Sequence, residues 1–579
     1  MYREAFKSME DLNRFDENAL LLFALILRFS FDDITAVAAD CLTGGSDDKK
    51  VDLVLVNPDE GHAVIAQTYI ASDEKRKSAP SNKASDLNTA VGWLLAANLE
   101  KLPETLKSPA EQLRNAVENR LISDLEIWYV HNLPESSNCS KELETVEHTA
   151  AGIISSRYHQ EDLISIRAIE VGNETLNEWY QTTQTPILVS DELSFKVPGG
   201  FDISGDDWEA ISTAVSLKDL HELFKKYEKK IFSANIRDYL GTRKSDSNIN
   251  YGIKKTAMED PKQFCVYNNG ITAITHKYKF DRKKQELKIT GLSIVNGAQT
   301  TGSIGTLDDN PTEDSLVAAR FIKCNNPTTI LNIVRYNNSQ NKITATDFRS
   351  NDPIQDRLRK EFEQIGDHIY PGGRRGGVED AIKRQSNLLP SDSVAQALIA
   401  FHGYPNIAYN EKSDIWNKDE IYSKVFNEQI HAGHILFAYS LFIAVKEMKL
   451  ALFRLLKNNE DMLDRDKKRL EFLRLRGANY ILIAALARCL ELLIERKIPN
   501  YFRVSFHHSV KMKKAVELWT NIIDVAIPFC NLLIPPTNRS LRVNNENNEA
   551  IETFKSMVEA TVSANKEIYT NFASNIVIE

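Results

Sequence analysis

Two polar motifs in the middle of the chain carry residues suited to holding an anion. Asn-Asn-Gly at 268–270 follows one apolar run, and Asn-Gly-Ala-Gln-Thr-Thr at 296–301 follows a second, Leu292 to Val295. Both motifs predict tight turns after strands, because Asn and Gly adopt positive φ at little cost. A helix beginning behind the second turn would present backbone N–H groups and side-chain amides to a phosphate. Plain strand-exit turns are the alternative, but a buried strand rarely carries Asn, Gln and two Thr in succession, since each needs a partner.

Basic and polar residues flank these motifs and extend the predicted anion site. An amphipathic helix is predicted from Ser216 to Tyr239, with a lysine-rich side that continues into Arg237. The glycine-rich loop at 370–377 carries Arg374 and Arg375, whose guanidinium groups suit bidentate phosphate contacts. A solvated lysine face and an ordinary surface turn are the alternatives. The residues predicted to bind phosphate or nucleic acid are Arg237, Asn269, Asn296, Gln299, Thr300, Asn338, Gln340, Arg374 and Arg375.

Composition limits the class of protein. With 579 residues the chain is too long for one core. A net charge of −9 supplies no global attraction for nucleic acid, so any such contact must use local basic patches. No apolar run is predicted to reach the length of a membrane span, and the N-terminus does not resemble a signal peptide. The six scattered cysteines have no zinc spacing and are predicted to be buried free thiols in a reducing cytoplasm. We therefore expect a cytoplasmic protein without a membrane partner.

The order of predicted elements indicates two α/β domains followed by an all-α domain. The first occupies residues 1–200, the second, with the polar motifs, occupies 201–390, and the helical domain occupies 391–579. We expect the helical domain to support the pocket domain and to provide surfaces for homo-oligomer formation. The spacing of His431 and His434 would allow a metal site, but a structural role is the favoured interpretation.

Several shorter predictions bear on the positions of the candidate residues. Residues 134–146 are predicted to form a loop, and residues 264–267 a strand. The predicted helices are Ala19 to Phe31, Ser85 to Leu102 and Thr328 to Asn337, and the predicted strands are Val51 to Val56, His62 to Ile70 and Leu316 to Cys324.

The ordered central motifs resemble a known family. Asn-Ile-Arg-Asp-Tyr-Leu-Gly at 235–241 precedes the two turns, and Asn-Ser-Gln-Asn at 338–341, Asp347 and Ala-Gln-Ala-Leu at 395–398 follow them. This order resembles the AIPR family, the abortive-infection phage-resistance proteins of bacteria. The resemblance implies a role in phage defence, but does not by itself supply a reaction.

The N-terminal order of helix, strand, strand and helix resembles the core of PD-(D/E)xK nucleases. The resemblance implies Asp52 as the metal-binding carboxylate and Gln67 in place of the acidic ligand, with Mg²⁺ supporting phosphodiester cleavage. Tyr69 stands where those nucleases carry lysine. The implied substitutes for this lysine are Lys75, Lys77 and Lys83, and Glu17 is a further implied metal ligand. The alternatives are a degenerate nuclease fold that serves only as a scaffold or DNA-binding surface, and an ordinary hairpin with one Asp at its edge.

Residues 296–300 also resemble the Asp-Gly-Gln-His-Arg turn of the DGQHR and ParB-like group, without its His and Arg. That resemblance implies phosphate binding. Two hypotheses follow: a metal-dependent nuclease-like defence effector with a phosphate-binding or nucleotide-binding pocket, or an inert sensor that binds a nucleotide or phage component and switches oligomeric state. A phage protein or co-encoded protein is a further expected partner. A nucleotide hydrolase is least favoured, since the sequence has no P-loop.

Overall fold

The computed structural model describes most of the chain. The described residues are 2–29, 31, 33–43, 48–159, 164–184, 187, 189–232, 247–307, 309–312, 314–324, 326–338, 349, 352–372, 387–457 and 462–579. The predicted order of two α/β regions followed by a helical region is confirmed.

A four-stranded sheet organises the N-terminal region. Its strands are β1 Leu53–Asn57, β2 His62–Tyr69, β3 Asp124–His131 and β4 Ser165–Val171, in the order β1-β2-β3-β4. Strands β1 and β2 form an antiparallel hairpin, while β2, β3 and β4 are parallel. The helices are α1 Tyr2–Ser8, α2 Ala19–Phe29, α3 Ile34–Cys41, α4 Ser81–Leu95, α5 Glu104–Glu118, α6 Ser137–Tyr158 and α7 Asn173–Gln184, with 3₁₀ segments Glu10–Asn18 and Leu99–Lys101.

Two cores cover the two faces of this sheet. Ile65 and Ile127 pack with residues of α4, α5 and α6, whereas Val64 and Trp128 pack with residues of α1, α2 and α7. Strict alternation along β2 and β3 follows from the pleat, which turns successive side chains to opposite faces.

The prediction of a loop at residues 134–146 is wrong over most of this range, because helix α6 begins at Ser137. The hydroxyl of Ser136 accepts a hydrogen bond from the backbone N–H of Cys139 (3.2 Å), which is the usual role of serine before a helix. The first turns of α6 are polar because one side of the helix faces solvent. This polar composition resembles that of a loop, so the sequence did not indicate a helix here.

A seven-stranded sheet forms the central region. Its strands are β5 Val189–Lys196, β6 Phe201–Ser204, β7 Trp208–Ser216, β8 Ile271–Thr275, β9 Lys277–Asp281, β10 Glu286–Asn296 and β11 Leu316–Cys324. The order is β5-β10-β8-β11-β7-β6, with β9 paired to β10. The helices are α8 Leu217–Tyr227, α9 Ser247–Glu259, α10 Phe264–Tyr267, α11 Ala298–Gly305 and α12 Pro327–Asn338, with 3₁₀ segments Glu228–Phe232 and Pro261–Gln263.

The inner face of this sheet, which carries Ala273, Ile294 and Phe321, packs against residues of α8, α9 and α11. On the outer face, Ile274 and Val295 pack against α12. The strand predicted at 264–267 is wrong, since these residues form the helical turn α10, and the helix predicted from Ser216 leaves helical geometry at Glu228 (φ 48°).

The remaining chain is helical apart from a two-stranded sheet. The helices are α13 Pro353–Ile365, α14 Ser391–Phe401, α15 Pro405–Asn410, α16 Asp414–Asn417, α17 Asp419–Tyr422, α18 Ala432–Lys457, α19 Asp464–Leu473, α20 Ala478–Arg488, α21 Leu490–Leu493, α22 Met512–Ala526, α23 Ile534–Asn538, α24 Asn544–Ala560 and α25 Lys566–Ala573. The 3₁₀ segments are Tyr501–Arg503, Ile527–Leu533 and Val562–Asn565, and the strands are β12 Val504–Phe506 and β13 Ile576–Ile578. Leu358 and Phe362 of α13 belong to the same core as the later helices.

One helix of the described chain, Met512–Asn538, is long and apolar enough to cross a membrane by length and composition alone. The sequence predicted no such run. The difference arises because α22 continues through Ile527–Leu533 into α23. Leu518, Trp519 and Ile522 of this segment lie in the core of the helical region. All six cysteines are free, and four are buried.

Buried lysines join the helical region to the N-terminal region. Asp40 at the end of α3 lies 3.3 Å from Lys446 Nζ and 3.6 Å from Lys449 Nζ, both on α18. The Asn479 amide also donates to Asp40 (3.1 Å). Leu450 packs into the core that contains α1 and α2.

Candidate phosphate-binding and metal-binding sites

The two central turns pack against each other. Gly297 precedes α11 with φ +89°, and a Cβ atom there would lie 2.7 Å from the carbonyl oxygen of Gly270. Gly270 has φ +86°, and a Cβ atom there would lie 2.5 Å from the carbonyl oxygen of Ala318. Each of the two positions therefore requires glycine for two reasons: the positive φ and the close approach of a neighbouring carbonyl oxygen. The two motifs predicted from the sequence meet at this point.

A side-chain bond ties the turns together. Thr300 Oγ1 donates to Asn268 Oδ1 (3.2 Å), which also accepts from the backbone N–H of Gly270 (3.0 Å). Thr300 is buried, whereas Asn269 is exposed and Gln299 is half-buried on the first turn of α11. Thr300 thus positions the turns, while the Asn269 side chain is open to solvent.

The end of α12 joins the same cluster. Asn296 Nδ2 donates to the carbonyl oxygen of Asn337 (3.0 Å), and Asn337 Nδ2 donates to Ile333 O one turn earlier (2.8 Å). Arg320 Nη2 donates to Asn337 Oδ1 (3.0 Å) and to Thr272 Oγ1 (3.3 Å). Arg320, Thr272 and Asn296 are direct neighbours across β11, β8 and β10.

Arg320 is the cation of this cluster. Its two hydrogen bonds use Nη2 only, and no Asp or Glu of the described chain lies within 4 Å of its guanidinium. The side chain is exposed. A guanidinium fixed through Nη2 keeps the N–H groups of Nη1 and Nε, which can each donate a single hydrogen bond to a phosphate. Sequence reasoning missed Arg320, although a single arginine inside the apolar run at 316–324 was a usable signal.

Asp52 and Gln67 occupy neighbouring positions on the β1–β2 hairpin. Leu53 pairs with Ala66, so the next residues outward, Asp52 and Gln67, lie opposite each other. The backbone N–H of Asp52 donates to Ala66 O (2.9 Å), and the backbone N–H of Thr68 donates to the Asp52 carboxylate (2.6 Å). Gln67 is only 6% exposed, and its Oε1 is buried without a hydrogen-bond partner. A buried oxygen in that state costs free energy, which binding a cation would recover.

An arginine, rather than one of the predicted lysines, contacts the position of the missing lysine. Arg76 Nη1 donates to Tyr69 Oη (2.8 Å). Lys75 and Lys77 are exposed in the same loop, and Lys83 Nζ lies 3.8 Å from Asp86 on α4. Its place between Lys75 and Lys77, in the same cationic loop, is the sequence signal for Arg76.

The comparisons with known proteins decide the family. The profile described as AIPR protein matches residues 232–564, more than half of the chain. The chain belongs to the AIPR family. This membership indicates anti-phage defence by abortive infection, as the sequence motifs implied. No curated protein and no solved structure matches the chain.

The matched segment of this AIPR protein contains the central cluster and most of the helical region, but not the hairpin that carries Asp52. Arg237, Gln340, Arg374 and Arg375 lie outside the described residues, and so does the Asn338 side chain. Their predicted roles stay predictions.

The hairpin of the AIPR protein offers oxygen ligands for Mg²⁺. Asp52 and Gln67 present a carboxylate and an amide oxygen from opposite positions. Within the described ranges, no group of three or more His, Cys, Asp or Glu residues could hold a metal ion. Glu17 is exposed on the segment Glu10–Asn18, whose buried side chains pack against the sheet face opposite Gln67. A carboxylate and an amide oxygen are ligand types that Mg²⁺ uses, with the other coordination positions taken by water and substrate phosphate.

An acidic cavity of the AIPR protein is less suited to nucleic acid. It has a volume of about 410 Å³ and is lined by Glu135, Glu144, Glu147 and Glu170. Backbone N–H groups of Ser136 and Thr175 donate to Glu170 and Glu135, respectively. Glu135 and Glu170 therefore have structural partners, and the negative charge of the cavity repels phosphate.

Proposed function

We propose that this AIPR protein is a nucleic-acid-directed effector of abortive infection whose N-terminal domain cleaves phosphodiester bonds with a divalent cation. The observation that carries the proposal is the unpartnered, buried Oε1 of Gln67 opposite the Asp52 carboxylate. The position lies where parallel strands β2 and β3 end, which is the edge where open α/β sheets bind ligands.

The roles of the residues follow from their chemistry. Asp52 and Gln67 would hold Mg²⁺, which when bound polarises a phosphoryl oxygen and lowers the pKa of a water. Arg76, fixed on Tyr69, would supply positive charge where related nucleases use lysine, and would orient the phosphate. In the reaction a water oxygen bonds to phosphorus and releases one proton to solvent, the bond from phosphorus to one sugar oxygen breaks, and that oxygen takes up a proton from solvent and leaves as an alcohol.

Cleavage and metal binding test this proposal separately. Purified protein is incubated with DNA and RNA in Mg²⁺ or Mn²⁺, and Mn²⁺ binding is measured by paramagnetic resonance. Asp52→Ala and Gln67→Ala should abolish cleavage and weaken Mn²⁺ binding, and Arg76→Gln should lower cleavage while Mn²⁺ binding stays. The exposed Glu104→Gln on α5 is the matched control. Unchanged cleavage by Asp52→Ala would place the chemistry elsewhere.

A second function is favoured by a different observation. Tyr69 replaces the lysine, and the hairpin supplies only two oxygen ligands among the residues that the structure describes. An inert hairpin would leave the central cluster as the functional part, binding a nucleotide or phage component and changing the oligomeric state. Nucleotide-dependent thermal stabilisation and a change of mass in light scattering, without cleavage by the wild type, would support this sensor over the nuclease.

A further inference from the structure

The outer face of the central sheet has an open corner that α12 does not cover. Helix α12 starts near the β6–β7 turn, where Thr329 Oγ1 donates to Asp207 (2.5 Å), and ends at Asn337 beside Arg320. Its apolar side chains pack over Ile274 and Val295. Beside α12, the corner formed by β6, β7 and β11 stays accessible on this face: Phe201 on β6 is 66% exposed, Ser212 on β7 is half-buried and Arg320 on β11 is exposed.

An aromatic ring, a hydroxyl and a cation lie in one row across this corner. Phe201 pairs with Ser212, and Ser212 pairs with Arg320, so the three residues occupy successive strands β6, β7 and β11 on the same face. Adjacent strands are about 4.8 Å apart, which places the backbones of Phe201 and Arg320 about 10 Å from each other. We call these three residues the open row.

The floor around the open row is shallow. Ala214 pairs with Ala318 one step along the same face, and both are only half-buried. Small side chains beside an exposed ring leave room for a flat group to lie on the sheet. The face of Phe201 is thus accessible from solvent and from the direction of Arg320.

Charge identifies the occupant. Arg320 has no carboxylate partner within 4 Å in the described chain, so the open row presents a net positive charge next to an aromatic surface. The acidic residues Asp206 and Asp207 lie beyond the other end of β6, past Ile203. An anionic polymer would therefore cross the strands at Phe201 rather than run along β6 toward the acidic turn.

We propose that the open row binds single-stranded nucleic acid, with a base stacked on Phe201, a phosphate on Arg320 and Ser212 donating to the sugar or phosphate between them. The proposal rests on the proposed action on nucleic acid and names the substrate class as single-stranded. Stacking on aromatic rings together with basic contacts to the backbone is the general mode of single-strand recognition, whereas a duplex keeps its bases inside and could use only Arg320.

Fluorescence anisotropy of the full chain in EDTA tests the proposal without cleavage. The probes are labelled 12-nucleotide single strands of DNA and RNA, and the corresponding duplexes. Phe201→Ala should weaken single-strand binding by about tenfold or more and leave duplex binding unchanged, because one base stack is lost. Arg320→Gln should weaken both and reduce the salt dependence by about one phosphate contact. Phe201→Trp should retain binding.

Arg282→Gln is the matched control for Arg320→Gln, because Arg282 is also exposed and pairs with Asp202. Thermal unfolding of each variant excludes loss of the fold. Wild-type binding with no change in Phe201→Ala and Arg320→Gln would overturn the open row alone. No binding by the wild type at low salt would overturn the nucleic-acid function itself. If Phe201→Ala changed the oligomeric mass but left single-stranded nucleic-acid binding unchanged, the corner would be a protein interface, and the proposal would also be overturned.

Discussion

Asn296 and Asn337, 41 residues apart in the chain, are joined by one hydrogen bond of 3.0 Å from the Asn296 amide to the Asn337 carbonyl oxygen. This bond holds the end of α12 against the end of β10. Asn337 in turn orients Arg320 through its own side-chain oxygen. Thr272 and Asn337 therefore contact the Arg320 guanidinium directly, and Asn296 holds Asn337 in place, so residues of three sequence segments position one cation.

Removing the Asn337 side chain should reduce nucleic-acid binding less than removing Arg320. Asn337→Ala leaves the cation in place but releases its orientation, so we expect about a three- to fivefold loss of affinity. The double variant Asn337→Ala/Arg320→Gln should bind like Arg320→Gln alone, because the two residues act as one unit. Additive losses in the anisotropy assay would show that Asn337 acts independently of Arg320.

Replacing Glu126 should destabilise the N-terminal domain. The Glu126 carboxylate is buried and accepts from Arg28, Arg167 and Trp128. Burial opposes ionisation, but the two guanidinium groups hold the pKa of Glu126 below its usual value. Glu126→Gln leaves Arg28 buried without its countercharge and should cost about 3–5 kcal/mol. Denaturant unfolding measures the loss, with the exposed Glu118→Gln as the control, for which a comparable loss would contradict the explanation.

The Glu126 effect should depend on pH. A carboxylate whose pKa is lowered in the folded state contributes its stability above the unfolded pKa, near 4.5, and that contribution is lost as pH falls through the lower folded pKa. The wild type and Glu126→Gln should therefore approach each other in stability only in strong acid, below the unfolded pKa. Equal differences at pH 7 and in strong acid would sink this account.

Mild acid should weaken the helical region through two histidines. His402 Nε2 lies 3.0 Å from His434 Nε2, His402 stacks on Phe502, and His431 faces His434. Burial lowers the pKa of His402 to about 4 and that of His434 well below its usual value. Above pH 6.5 neither state binds the proton. Between pH 6.5 and 4 only the unfolded chain does, so the free energy of unfolding falls by about 1.4 kcal/mol per pH unit for each histidine.

His402→Gln keeps a donor toward His434 and removes one titrating group. Its melting temperature should fall less steeply than that of the wild type between pH 6.5 and 4.5. Parallel pH profiles would show that His402 does not titrate differently in the folded and unfolded states.

Asp40→Asn should loosen the helical region from the N-terminal domain. The variant leaves Lys446 and Lys449 buried without a carboxylate, although burial already lowers the pKa of Lys449. Faster amide hydrogen exchange is expected in α3 and in α18 around residue 446, with the cores of both regions unchanged. Glu447→Gln removes the more exposed pair with Arg14 and should change exchange little, since such pairs contribute about 1 kcal/mol or less.

Elements with strong periodicity were predictable from the sequence, and short or polar ones were not. The strand at 316–324 matches its prediction residue for residue, because a run of apolar residues bounded by polar turns fits a buried strand. Residues 264–267 have an equally apolar composition but form a helical turn, since four residues carry too little pattern to separate the two structures. The polar start of α6 hid that helix for the opposite reason.

The sequence identified the motifs of the candidate sites, but it did not identify all the residues that contact one another there. The approach of Gly270 to Gly297 and the bond from Thr300 to Asn268 join turns that the sequence had already marked. Arg320 and Arg76 depend on strand register and on the path of a loop, which single-sequence patterns do not encode. The sequence motifs instead indicated other arginines and lysines as the cationic residues.

The absence of a side chain at Gly297 allows the two turns of the central cluster to pack against each other. A methyl group there would lie 2.7 Å from the Gly270 carbonyl oxygen and would force the two turns apart, while every amide, hydroxyl and guanidinium of the cluster stayed the same. The geometry of the cluster therefore depends on how closely two stretches of backbone approach, and a substitution at this position would change that geometry without changing any charge.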